Sequence, residues 1–332
     1  MEEKKKILKK QDIFIFKMNK LIMNKISSNS FILVMLTLLF SVIDVQAQQD
    51  SQFTQYMYNT VNVNPAYAGS RGVLSVFGMY RAQWVGLDGA PTTSAASINS
   101  PINNSRVGLG ISILKDEIGP SDRKTISADL SYSIPTSDTY KLSFGIKGSA
   151  SLLNVDYTKL NRYDLNDPRF QNNIDNQFSP NIGAGIYYHS DKLYAGISVP
   201  FMLETKHFDD NASSVAKDAL HYYFIGGYVF DLSETTKFKP AFLFKSVKGA
   251  PLQADLTANF MFNDKFVVGG AWRWSAAFSG LVGFQVNSNW FIGYTYDADT
   301  TKLANYNSGS HEVFLRYEFR GKQEKIVSPR FF

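Results

Sequence analysis

The sequence runs to 332 residues, of which 44% are hydrophobic, 14% aromatic and only 19% charged. That leaves room for one large domain or two modest ones, excludes a disordered chain, and, with mean hydropathy at −0.17, excludes a bundle of membrane helices. Cysteine is absent, so disulfides, zinc–thiolate sites, iron–sulfur clusters and cysteine nucleophiles are excluded too. The formal charge of +5 raises nucleic-acid binding as a reading, and the placement of the charges decides it.

Residues 1–47 carry eight of the 34 basic and four of the 29 acidic residues, so the remainder is almost neutral at +1. The lysines precede an apolar stretch, Phe31–Ile43, and then Val45-Gln46-Ala47. Basic region, short apolar region and small residue are the order of a secretory signal peptide, with cleavage expected after Ala47. Thirteen apolar-rich residues are too few to span a bilayer, which argues against a membrane anchor. Met18 gives a more ordinary leader than Met1 as the start. No cysteine follows the cut, so a lipoprotein anchor is excluded, and the nucleic-acid reading goes with the leader.

Residues 48–70 form an irregular N-terminal segment expected on the periplasmic side, punctuated by the turn signals Asn64-Pro65 and Ala68-Gly69. Beyond it, apolar and polar residues alternate, as in strands with two unlike faces. Candidate strands follow at 72–84, 92–100, 106–115, 125–134, 140–152, 180–189 and 193–200. They continue at 219–230, 236–247, 252–262, 266–274, 276–286, 290–297 and 313–320, fourteen in all. In 125–134, Ile126, Ala128, Leu130, Tyr132 and Ile134 share one face, with Thr125, Ser127, Asp129, Ser131 and Ser133 on the other. The polar segments 153–179 and 201–218 break the rhythm and read as extracellular loops. A tail, 321–332, follows the last strand and is a candidate contact for partners or a loose end.

Such a pattern serves a soluble sandwich, whose apolar face is a core, or an outer-membrane barrel, whose apolar face meets lipid. Many segments are about ten residues long, enough to cross a bilayer at a tilt. Aromatics gather at strand ends (Trp84, Trp272, Trp274, Trp290, Tyr294, Tyr296), as interfacial girdles require. With an export signal and an even strand count, the expectation is all-β: a transmembrane barrel of about 14 antiparallel strands over 71–320.

Several short motifs stand out. They are Asn64-Pro65-Ala66-Tyr67-Ala68-Gly69, Tyr80-Arg81-Ala82-Gln83-Trp84, Gly249-Ala250-Pro251 with Asp255, Gly293-Tyr294-Thr295-Tyr296-Asp297, and Gly309-Ser310-His311-Glu312. In this order, across essentially the whole mature chain, they resemble the PorP/SprF family of type IX secretion outer-membrane proteins. The resemblance implies a barrel that works with the machinery exporting surface adhesins and enzymes, members being associated with gliding-adhesin secretion or attachment, or with the periplasmic ring. Candidate partner residues are therefore Asn64, Pro65, Tyr67, Gly69, Tyr80, Arg81, Gln83, Trp84, Gly249, Pro251, Asp255, Tyr294, Tyr296, Asp297, His311 and Glu312.

The residues themselves set narrower limits. Asn64, Pro65, Tyr67 and Gly69 form either a plug or docking element, or simply the entry turn to the first strand. Alternation points Arg81 and Gln83 inward, and Tyr80 and Trp84 outward. His311-Glu312 lacks the second histidine of a zincin helix, and His189, His207 and His221 show no metal-ligand spacing. Gly108-Leu109-Gly110 and Gly183-Ala184-Gly185 lie inside strands with no helix following, and read as glycine kinks in a wall rather than phosphate loops. No metal, cofactor or catalytic residue is expected. The expected partners are outer-membrane lipid, type IX secretion components and secreted cargo, in the outer membrane. A porin or transporter for small solutes is the competing function.

Overall fold

The computed structural model describes residues 53–103, 106–160, 172–203, 220–247 and 250–320. The leader, its cleavage site, Gly249 and the 321–332 tail lie outside the described residues. Strands β1 (Leu74–Ala82), β2 (Thr92–Pro101), β3 (Val107–Ile118), β4 (Ser121–Pro135) and β5 (Lys141–Val155) open the chain. Then come β6 (Ile174–His189), β7 (Leu193–Val199), β8 (His221–Tyr228), β9 (Phe230–Asp231) and β10 (Thr236–Val247). The last are β11 (Gln253–Phe262), β12 (Phe266–Arg273), β13 (Ala277–Gln285), β14 (Trp290–Asp299) and β15 (Ser310–Phe319).

Apart from β8 and β9, which both pair with β10, consecutive strands pair antiparallel, and β1 pairs with β15. That last pairing closes the sheet into a barrel with no free edge. The two-residue β9 continues β8 past Val229 along the same partner, β10, so the wall has fourteen staves. Each of the fourteen expected segments overlaps one of them.

The faces follow the alternation. On β4, Ile126, Leu130 and Tyr132 point out, while Thr125, Ser127, Asp129 and Ser131 are buried inside. On β1, Tyr80 is 49% exposed and the next residue, Arg81, only 1%. Lipid accounts for the first face, since a charge there costs about 2–4 kcal/mol at mid-depth while a large apolar side chain costs nothing. At one end of the barrel the described turns span three to five residues (190–192 and 286–289 among them), and at the other the connections reach 200–220.

One expectation is corrected here. Residues 153–155 and 174–179 belong to β5 and β6, not to a loop; the connection is 156–173. These strand ends reach past the apolar band. There the inward positions turn apolar, with Leu153 and Val155 packed against Tyr157, so the apolar-out, polar-in pattern lapses while the ladder continues.

Candidate functional site

Residues 53–70, the described part of the segment expected on the periplasmic side, run through the barrel interior. Little of this segment is regular: one helical turn, α1 (Thr60–Val63), and a 3-10 turn, Pro65–Tyr67. Asn64 joins them by accepting the Ala66 N–H with its side-chain oxygen, 3.0 Å away, and Pro65 starts the second turn where no N–H is needed. Tyr56, Met57, Val61, Asn64 and Ala66 are all buried. The segment is a plug. It descends from the long-loop end, where Thr54 meets β14, β15 and β1, to the short-turn end, where Arg71 pairs with Glu318.

Its upper end sits in a net of charges. One Arg81 guanidinium bridges two carboxylates, Asp297 at 2.7 Å and Glu312 at 3.0 Å. Glu312 in turn accepts the backbone N–H groups of Thr54 and Gln55, one per oxygen, each at 3.0 Å. The Thr54 hydroxyl donates to Asp297 at 2.6 Å, and Arg81 donates to that hydroxyl at 3.0 Å. Gln55 donates to Thr295. Beside them Arg273 donates to Asp255 at 2.9 Å and reaches Thr54 at 3.5 Å. Arg81 and Glu312 are also register partners across the β1–β15 seam.

Lower down, contact is by shape. Tyr58 stacks against Phe291 and Phe314, with ring centroids 5.3 and 4.6 Å away, and the Arg316 guanidinium lies over its ring. The Asn64 amide donates to the Ile186 carbonyl at 3.0 Å. The plug backbone presses on wall glycines: a Cβ on Gly145 would come 2.2 Å from the Ala66 nitrogen, and one on Gly108 2.2 Å from the Ala68 oxygen. Gly185 gives the same room to the Asn64 side chain. Of the glycines read as kinks, Gly108, Gly110 and Gly185 are instead recesses for the plug, while Gly183 makes room for Pro200. Gly69, at φ +69°, turns the chain out toward β1 against Ser100 and Pro101.

The candidate residues thus divide by their place in the barrel. Asn64, Pro65, Tyr67 and Gly69 belong to the plug, and Arg81, Asp255, Asp297 and Glu312 hold its upper end. Tyr80, Tyr294, Tyr296 and His311 face outward, His311 hydrogen-bonded through Nδ1 to the Tyr294 hydroxyl at 2.6 Å. Gln83 and Trp84 lie beyond the end of β1, half-buried, with the Trp84 backbone at φ 47°. Pro251 is exposed ahead of β11. Sequence reasoning passed over Thr54, Gln55 and Arg273. The same period-2 rule places Arg273 inward in Ala271-Trp272-Arg273-Trp274.

Fold and site together define a plugged β-barrel of the outer-membrane class. A family model described as "Type IX secretion system membrane protein PorP/SprF" matches residues 45–317, and the chain belongs to that family. It is accordingly an outer-membrane protein associated with the type IX secretion apparatus. No curated protein matches the sequence.

Among solved structures, the outer membrane protein Omp33 of Acinetobacter baumannii is 11% identical, covering 75% of this chain and 100% of its own, with a TM-score of 0.42. The CymD monoaromatic hydrocarbon channel is 10% identical over 83% of this chain and 95% of its own, with a TM-score of 0.47. A FadL homologue of Pseudomonas aeruginosa is 10% identical over 75% of this chain and 89% of its own, with a TM-score of 0.40. Barrel closure here rests on the strand pairing, not on these likenesses.

Proposed function

We propose that this protein is a non-catalytic recognition component of the type IX apparatus. It binds or anchors secreted surface proteins, adhesins among them, and links them to the secretion machine. Short turns of outer-membrane barrels face the periplasm and longer loops face outward. The long connections and the top of the plug then meet cargo, and the short turns and the lower plug meet the machine.

The observation that carries this reading is the plug. Residues drawn from four separate family motifs, Arg81, Asp255, Asp297 and Glu312, are spent on holding or lining it rather than on a conducting lumen. Removing one partner of a buried charge group costs about 3–5 kcal/mol, so such a plug is not a casual occupant. The porin alternative requires it to leave. Among the described residues, a hydrolase reading finds Ser143 and His189 at 3.4 Å, but these are sealed at 0% and 2% exposure.

The test is deletion of the gene followed by surface proteomics, with affinity purification of the barrel from outer membranes. Loss of a set of surface adhesins, and co-purification of cargo or machine subunits, is the expected outcome. Unchanged surface proteins, together with steady single-channel conductance of the purified barrel, would favour the porin.

A further inference from the structure

The plug leaves part of the interior unfilled. A cavity of about 210 Å³ lies between the upper plug, which contributes Phe53, Asn62 and Val63, and the wall from β3 to β8. The cavity belongs to the long-loop half, since it takes the last residues of β3 and the first of β4.

Its charges are matched. Asp116 faces Arg123 across the β3–β4 ladder, and Lys147 lies 3.3 Å from Asp129. Paired ions give an ionic ligand little to bind. What remains is a set of hydroxyls, from Ser112, Thr125, Ser127, Ser151 and Ser179. Two lining residues carry a buried polar atom with no hydrogen-bond partner in the protein: the Ser179 hydroxyl, on a residue only 4% exposed, and the Asn62 amide nitrogen. Leaving such groups buried and unpaired is costly, so turning either side chain toward a ligand in the cavity is favoured over the empty site. Aromatic rings from Phe53, Phe201 and Tyr223 add apolar surface beside the hydroxyls.

We propose that this vestibule is a binding site for a neutral saccharide, entered from the long-loop end. Sugar hydroxyls donate and accept as serine and threonine hydroxyls do, and the C–H face of a sugar ring packs on aromatic faces. At ~30 Å³ per water, the cavity holds the equivalent of roughly seven waters, space for about one sugar ring. An extended peptide fits less well, because the closed barrel offers its backbone no free strand edge.

The experiment is saturation-transfer NMR on the purified full-length barrel in detergent. The probes are glucose, a neutral disaccharide, galacturonic acid and an unstructured peptide. A second arm uses vesicles with and without glycan-bearing outer-membrane lipid, which separates free sugar from surface glycan as the source. Expected is transfer from a neutral sugar or from the lipid-borne glycan, with affinity falling roughly tenfold in Ser179→Val. Asn62→Ala, on the plug rather than the wall, provides a second variant if Ser179→Val fails to fold by heat-modifiable gel migration. No transfer from any neutral saccharide, preferential binding of galacturonic acid or peptide, or unchanged affinity in a folded variant would overturn the proposal.

Discussion

The two ends of the plug are held by different physics. At the top, Thr54 and Gln55 are gripped by charge, with the β1 guanidinium between two carboxylates of the last hairpin, far from it in the chain. Toward the bottom, Asn64 to Gly69 are held by shape, in recesses that exist only because Gly108, Gly145 and Gly185 lack side chains. Charge tolerates small displacement but not loss of a partner. Shape tolerates loss of a hydrogen bond but not added volume. Reading the two ends separately therefore says which substitutions release the plug and which only loosen it.

The largest effect is expected at the charged end. Arg81→Ala leaves Asp297 and Glu312 buried without their shared cation, a loss of about 3–5 kcal/mol. It should lower the temperature at which the folded gel form disappears and open a conductance absent from the wild type. Next comes the recess: Gly145→Ala sets a Cβ against the Ala66 nitrogen and should cost about 1–3 kcal/mol. Limited proteolysis near Asn64 should report the displaced plug. Gly148→Ala, on the same strand with nothing within 4 Å, should leave both readouts unchanged, and an equal effect there would dissolve the distinction between recess and wall. Asn64→Ala removes the bonds to Ile186 and Ala66 and should cost about 1–2 kcal/mol without opening a conductance. Smallest is Lys192→Ala, which breaks an exposed pair with Asp231 near a short turn and should not move the folded-form transition measurably.

Much of the wall was legible because lipid on one side and plug on the other enforce a two-residue period, as in Tyr80 outward and Arg81 inward. The plug was less so. Asn64 to Gly69 show turn chemistry, and turn chemistry is equally consistent with an entry turn, so the two readings stayed open. The meeting of Arg81, Asp297 and Glu312 at Thr54 could not be read at all. It depends on closure between β1 and β15, and Thr54 lies 258 positions from Glu312. The glycines misled for a related reason: a missing side chain looks the same whether the chain bends there or another backbone arrives from elsewhere.

The seam between β1 and β15 has a consequence for assembly. The plug is covalently continuous with β1, while its charge partners lie on the first and the final strand, so the grip on Thr54 is completed only when the last hairpin docks. A cylinder shut beforehand would have to admit Phe53 and everything preceding it end-first through a finished lumen. Threading is avoided if the wall is wrapped around the segment while still open. On that order of events, Arg81 meeting Glu312 is a zipper's final tooth: it reports that the interior was filled before the sheet was sealed, and a barrel sealed empty would strand two wall acids, Asp297 and Glu312, without the hydroxyl and backbone N–H groups that Thr54 and Gln55 supply.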